Sequence, residues 1–248
     1  MVLAEDTRRT GILLKTCGVS AKRFVSLHDH NEHERIPGIL KELQAGAVAV
    51  LVSDAGTPLL SDPGFLLVKA CRTGGIAVSP VPGPSAPVAA LMASGFPPLP
   101  FAFLGFPPRG RSDAVTWFEP YAHLPLTLIF FERKDRLAAT FAAAREALGN
   151  REACIAREIT KTYEEFIYCD LDTNLTGREL LGEITVLLAP PVAVRLNEEE
   201  VLNAVRCHRE LDPEAKPKEI ARRVQTEAHG WSIKDVYTLM LGSQKDSA

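Results

Sequence analysis

One stretch constrains the fold of this chain more than any other: Val50 to Gly64, which reads Val-Leu-Val-Ser-Asp-Ala-Gly-Thr-Pro-Leu-Leu-Ser-Asp-Pro-Gly. An apolar run, Ala47 to Val52, stops at a polar turn punctuated by glycine and proline, and a helix-like segment, Phe65 to Arg72, follows. Strand, loop and helix in that order are the grammar of an α/β protein, whose ligands lie beyond the carboxyl ends of the strands. The turn supplies backbone amides at Ala55, Gly56 and Thr57 and polar side chains at Ser53, Asp54, Thr57, Ser61 and Asp62. Glycine and proline alone can serve turn geometry. A second loop strengthens the reading. Ile76 to Val81 is another apolar run, expected as a strand, and it ends in Pro82-Gly83-Pro84-Ser85-Ala86. Ser85 is placed to cap a helix over Ala86 to Ala93, and Gly95 to stop it. Two such loops on successive strands would lie side by side at one sheet edge and form a binding site.

The 248 residues are enough for more than one sizeable core. The first part, residues 1–98, reads as an α/β domain: Asp6 to Cys17 is helix-like, Phe24 to Leu27 extended, and Glu32 to Gln44 has helical spacing at Ile36, Ile39, Leu40 and Leu43. Pro97, Pro98, Pro100, Pro107 and Pro108 then mark a boundary. Residues 99–195 read as a second α/β domain. Thr127 to Phe131 is a continuous apolar strand, and Asp135 to Leu148 a helix closed by Gly149-Asn150. Ala153 to Ala156, Glu165 to Tyr168 and Glu183 to Leu188 are further short strands, so a mixed sheet is expected. Residues 196–248 read as a small helical domain. Pro217 suits the first turn of a helix carrying Ile220, Ala221, Val224 and Ala228, and Ser232 with Asp235 forms a capping pair for the last helix. Trp117 and Trp231 are expected in cores.

A net charge of −3 gives no global pull towards nucleic acid, so such contacts must come from local basic patches. Lys216, Lys218, Arg222, Arg223 and Lys234 stand against only Glu219 and Glu227 in one such patch, either a solvated face or a helical hairpin on a phosphate backbone. The five scattered cysteines lack a Cys-x-x-Cys pair and read as reduced thiols. No apolar run approaches the roughly 18–20 residues that span a bilayer, and the amino terminus lacks a signal-like stretch, so a cytoplasmic protein with no membrane partner is expected. Dinucleotide, Walker-type phosphate-loop and nucleophile-elbow motifs are missing, which removes NAD enzymes, P-loop NTPases and α/β-hydrolases as first choices. His28, His30 and His33 with Asp29 and Glu32 read as a polar loop, and no metal is expected there.

Seven motifs occur in a fixed order: Ala4 to Arg8 (Ala-Glu-Asp-Thr-Arg), His28 to Glu32 (His-Asp-His-Asn-Glu), the Val50 to Gly64 block, Pro82 to Ala86, Leu128 to Glu132 (Leu-Ile-Phe-Phe-Glu), Ala156 to Lys161 (Ala-Arg-Glu-Ile-Thr-Lys) and Gly182 to Leu187 (Gly-Glu-Ile-Thr-Val-Leu). The set resembles the ribosomal RNA small-subunit methyltransferase I family, of the tetrapyrrole-methylase-like, class III S-adenosyl-L-methionine (SAM)-dependent methyltransferases. The resemblance covers nearly the whole chain. It implies two α/β domains with a small helical third, SAM as cofactor, 2′-O-methylation of a cytidine in 16S rRNA, the small ribosomal subunit as partner, and a homodimer. Family members carry a further amino-terminal strand and a Thr-Pro-Ile-Gly-Asn-Leu loop before the segment matching Ala4. The resemblance therefore implies a missing first strand and unpaired backbone on its neighbour.

By position, the resemblance implies SAM contacts at Asp54, Ala55, Gly56, Thr57, Leu60, Asp62, Ser85, Ala86, Glu132 and Ile159. A ribose hydroxyl is a weak nucleophile that benefits from a general base, for which Asp6, Asp54, Glu158 and Lys161 are candidates. Lys161 would need a lowered pKa. Glu5, Asp6 and Arg8 also suit a plain helix N-terminus, and Glu158 with Lys161 a surface ion pair. Arg8, His30, Asn31, Arg109, Arg133, Arg222 and Arg223 are the candidate RNA contacts, alternatively scattered solvated groups. A methyltransferase of a tetrapyrrole or other small substrate, or a non-enzymatic nucleic-acid-binding protein, are the competing functions.

Overall fold

Three short strands, Val2–Ala4 (β1), Phe24–Ser26 (β2) and Val50–Val52 (β3), pair in parallel in the order β2-β1-β3. In this computed structural model, residues 1–175, 180–192, 196–228 and 230–245 are described. Parallel pairing needs crossovers. They are the helices Thr7–Thr16 (α1) and Glu32–Gln44 (α2), with Phe65–Thr73 (α3) after β3. Leu3, Leu27, Ile39, Leu67 and Cys71 close a core between this sheet and its helices. Buried Glu32 accepts the Leu67 amide at 2.9 Å, so its carboxylate satisfies an orphan donor in the first turn of α3.

Ile76 to Val81, expected as a strand, joins no ladder among the described residues. Strand propensity needs a partner. β3 pairs only with β1, and residues 76–81 do not take up its open edge: Val78 and Val81 are exposed, so this run lacks the half-buried surface that favours a strand. The chain then enters Ala86–Ser94 (α4), which ends at Gly95 in the left-handed conformation that the sequence assigned to a stop (φ 72).

A five-stranded sheet follows in the order β4-β5-β8-β6-β7, from Phe101–Phe103 (β4), Thr127–Glu132 (β5), Glu152–Arg157 (β6), Glu165–Asp170 (β7) and Ile184–Leu188 (β8). β4 and β5 are parallel, and the other pairs antiparallel, so the expected mixed sheet forms. β5 and β8 lie inside the sheet, and their apolar runs bury both faces. Arg111–Phe118 (α5) and Leu137–Leu148 (α6) pack on it. Phe118 meets Phe130 edge-on at 5.4 Å, and Trp117 meets Phe118 at 4.9 Å, so that tryptophan belongs to the core as expected.

The chain divides into two compact units, Met1–Pro191 and Val192–Ala248. The boundary expected at 98/99 falls inside the first, between α4 and β4. The boundary expected at 195/196 touches residues 193–195, which lie outside the described residues. The second unit holds Glu198–Leu211 (α7), Pro217–Glu227 (α8) and Ile233–Lys245 (α9) around Val201, Val205, Ile220, Val224, Val236 and Met240. Asn197 and Glu200 cap α7 reciprocally, at 2.9 and 2.8 Å. Ser232 and Asp235 do the same for α9, as expected, at 3.1 and 3.0 Å. Trp231 donates Nε1–H to the Leu196 carbonyl at 2.6 Å and packs against this helical core.

Candidate functional site

The loop after β3 and the loop that opens α4 lie side by side. The Thr57 hydroxyl donates to the Pro84 carbonyl at 2.8 Å and ties one to the other. They form one wall of a cleft of ≈ 570 Å³, a volume typical of small-ligand sites. Ala55, Gly56, Thr57, Leu60, Asp62, Ser85 and Ala86 line that wall. Glu132 and Arg133 at the end of β5, and Ile159 and Lys161 after β6, line the facing wall beside Glu183 and Ile184. The strand grammar therefore carries through: the cleft opens at the carboxyl ends of β3, β5 and β6.

Backbone strain concentrates here. Among the described residues, the non-glycine residues with positive φ are Leu59 (74°), Ser61 (68°), Glu158 (49°) and Thr160 (69°). All four sit in the two loops that wall the cleft. Such conformations cost of order 1–3 kcal/mol each and persist where the surroundings fix them, commonly at ligand sites. Two glycines complete the loops. Gly64 (φ 122) brings the turn down onto Leu51, whose Cδ2 would lie 2.5 Å from an added Cβ. Gly182 (φ 96) lies against the Glu158 side chain, where an added Cβ would fall on the carboxyl.

Glu132 anchors the facing wall. Its side chain is fully buried, accepts from the Arg133 amide at 2.8 Å and from the Thr140 hydroxyl, and faces an Arg136 nitrogen at 3.4 Å. Arg136 also donates to the carbonyls of Pro107 and Pro108 at 2.8 and 2.9 Å. That grip fixes the loop before α5 and sets Phe106 in the cleft, tilted against Phe131 at 5.4 Å. Phe106 remains 50% exposed, so part of its ring is open to a ligand. Sequence reasoning passed over Phe106. The signal was Gly105-Phe106-Pro107-Pro108, an aromatic residue in a rigid turn.

The titratable groups differ sharply. Burial pushes the Asp62 carboxyl up to about 6, reinforced by the negative charges of Glu5, Asp29 and Asp54 and opposed by a Ser53 hydroxyl. Asp6 lies outside the cleft lining. It caps α1 through the Arg8 amide at 2.8 Å, and its bonds to the Arg8 guanidinium hold it well below the usual carboxylate range. Asp54 sits behind the lining. It accepts the Asp6 amide at 3.2 Å and pairs with Arg9 at 3.4 Å, lacing the ends of β1 and β3. Glu158 accepts the Glu183 amide at 2.9 Å and the Lys161 ammonium at 3.0 Å, and both lower its pKa. Lys161, bonded to Glu158 and to Glu183 at 3.1 Å, is raised, the reverse of what a lysine base requires.

The expected RNA contacts are dispersed. Arg8, His30, Arg109 and Arg222 are exposed outside the cleft lining. Asn31 leads into α2, accepting the His28 amide at 2.9 Å and donating to the Ser26 carbonyl at 3.2 Å. Arg133 lines the cleft, its guanidinium largely exposed and 3.5 Å from Asp135. Arg223 is bound by Glu219 and Asp212 at 2.7 and 3.0 Å. No group of His, Cys, Asp or Glu among the described residues is arranged to hold a metal ion.

The donor set fits SAM in kind. Phe106, Phe131, Ile159 and Ala86 give the cleft apolar surface for a nucleoside. The amino end of α4, where Ser85 makes no side-chain cap, offers amides to a carboxylate.

Residues 1–174 match the family model of the tetrapyrrole (corrin/porphyrin) methylases. The ribosomal RNA small subunit methyltransferase I of Mesorhizobium japonicum is 48% identical over 198 residues, 78% of this chain and 67% of that protein. The protein of that name from Escherichia coli O157:H7 is 46% identical over 66% of this chain, and the chain spans only 57% of its length. The one from Streptococcus pyogenes serotype M1 is 37% identical over 90% of this chain and 79% of its own. Among solved structures, diphthine synthase superposes with a TM-score of 0.57 at 14% identity, covering 76% of this chain and 78% of that one. The methyltransferase CobJ gives 0.54 at 17%, covering 79% and 95%. At such identities these two speak for the fold alone. By sequence and by fold, the chain belongs to the tetrapyrrole methylase family and, within it, groups with the ribosomal RNA small subunit methyltransferases I.

Proposed function

We propose that this protein is a SAM-dependent methyltransferase that 2′-O-methylates a cytidine of 16S rRNA, acting in the cytoplasm on the small ribosomal subunit and working as a homodimer. The observation that carries the reading is the cleft walled by the tied loops after β3 and before α4, in a chain whose curated relatives are named ribosomal RNA small subunit methyltransferase I. In functional terms the protein is read as three parts, 1–98, 99–195 and 196–248, with the first two supplying the cleft and the third touching RNA.

SAM supplies an electrophilic methyl group on a sulfonium. The chain's part is to hold donor and acceptor in line, which by itself can remove several kcal/mol of barrier. Ala55, Gly56, Thr57, Leu60, Asp62, Ser85, Ala86, Glu132 and Ile159 form the cofactor pocket in this reading, with Asp54 bracing the turn from behind. Backbone amides at Ala55 to Thr57 and at Ala86 read polar edges, while the carboxylates at the strand ends favour a cation. Arg133 at the cleft mouth meets a phosphate, as do exposed Arg8, Arg109 and Arg222. His30 and Asn31 border the path of the RNA.

Phe106 stacks on a base in the cleft. Phe106→Ala is expected to weaken SAM or RNA binding by about 1–3 kcal/mol, roughly tenfold or more in Kd, with little change in thermal midpoint. Calorimetry with each ligand reads this, and unchanged affinity for both would remove Phe106 from the site. The function itself is tested by transfer of tritium from labelled SAM to small-subunit particles. Label in the ribose of one cytidine is the expected result. Label found only on small molecules would favour a small-substrate methylase. An absence of binding heat at millimolar SAM would favour a nucleic-acid-binding protein without enzymatic activity.

A further inference from the structure

The reaction proposed needs a base, and the titratable groups in and around the cleft are not equivalent. Both oxygens of Asp6 are committed to Arg8. Glu158 is bonded to the Glu183 amide and to Lys161. Lys161 bridges two carboxylates at 3.0 and 3.1 Å and holds its protons. Glu132 is sealed by Thr140, Arg136 and the Arg133 amide. Asp135 and Glu183, which also line the cleft, face Arg133 and Lys161.

Asp62 differs from all of them. It lines the cleft half-buried, and no Lys or Arg among the described residues pairs with it. Its position is fixed by the turn around it, where Leu59 and Ser61 both adopt positive φ and Gly64 packs on Leu51. Resting on the methyl-transfer reading, we propose that Asp62 is the catalytic base, taking the proton of the attacking hydroxyl. As the hydroxyl O–H breaks, its electron pair forms the O–CH3 bond, the carbon–sulfur bond breaks with its pair on sulfur, and the proton passes to the Asp62 carboxylate and then to solvent.

The groups that face Asp62 favour this role. Burial raises its proton affinity most, Ser53 opposes this by a hydrogen bond, and Glu5 at the end of β1, Asp29 after β2 and Asp54 after β3 add to the rise. Arg9 offsets part of the Asp54 charge, and the cations of the opposite wall, Arg133, Lys134 and Lys161, line the same cleft. A carboxyl near 6 is charged at neutral pH and is still a stronger base than an ordinary aspartate.

The test is Asp62→Asn. Single-turnover methyl transfer at saturating SAM is expected to fall by about 10²–10⁴-fold. The rise in wild-type rate through pH about 6 disappears with it. Two readouts need no turnover. Carboxyl 13C NMR of the ligand-free protein shows one group titrating near 6 in wild type and absent in the variant. The thermal midpoint follows the same group. A pKa raised above the ordinary 3.8 means that stability is lost as pH rises towards about 6, so the amide variant melts higher above that pH and like wild type below pH 4. A rate at saturating SAM within about threefold of wild type, or no carboxyl near 6 that the variant lacks, overturns the assignment. Wild type that binds SAM and labels no rRNA overturns the methyl-transfer reading and the assignment with it, whatever Asp62 titrates at.

Discussion

Glu132→Ala is expected to lower the unfolding free energy by roughly 3–5 kcal/mol and to abolish binding in the cleft. The carboxylate is fully buried and serves the Arg133 amide, the Thr140 hydroxyl and Arg136 together. Removing it leaves a buried hydroxyl unpaired and the partly buried Arg136 without its counter-charge, and the cost of orphaned groups exceeds the value of the bonds themselves. Arg136 also holds the Pro107 and Pro108 carbonyls, so the loop carrying Phe106 loosens as well. Glu132→Gln keeps the shape and part of the bonding and is expected to lose much less. Denaturant unfolding reads the first effect and SAM calorimetry the second. A loss below about 1 kcal/mol for the alanine variant would show that this carboxylate is not the anchor of the wall.

Gly182→Ala is expected to cost about 1–3 kcal/mol of stability and at least tenfold in SAM affinity. Its φ of 96° strains any side chain, and the new methyl would occupy the place of the Glu158 carboxyl. Glu158 would have to leave the Glu183 amide and Lys161, which would move the loop that presents Ile159 and Lys161 to the cleft. Because φ and contact act together, the double variant Gly182→Ala/Glu158→Ala should recover only the steric part. Wild-type affinity in the single variant would mean that the 158–161 loop is not part of the ligand's wall.

Much of this architecture could be read from the sequence. Glycine and proline at fixed places between apolar runs disclosed the loops at 53–64 and 82–87, because turn chemistry is local. The reciprocal cap at Ser232 and Asp235 was legible for the same reason. Ile76 to Val81 misled, since an apolar run makes a ladder only where its side chains find a surface to bury, and Val78 and Val81 stay exposed beside the open edge of β3. The distinct character of Asp62 was hidden. It depends first on burial in the folded cleft, and then on Glu5, Asp29 and Asp54, gathered at the ends of three parallel strands. Phe106 was hidden likewise, its orientation set by an arginine on the far side of β5. Glu158 and Lys161 were recognised as a pair, but their hold on Glu183 was not, because it runs through a bond to the next strand.

A bundle whose apolar residues close on one another within 196–245, with its own caps, leaves its outer charges free to change. In the proposed reading, substitutions at an exposed position such as Arg222 would change RNA affinity and leave the chemistry of the cleft untouched. Addressing and catalysis would then be separately evolvable, and a swap of this bundle between relatives would move one without the other.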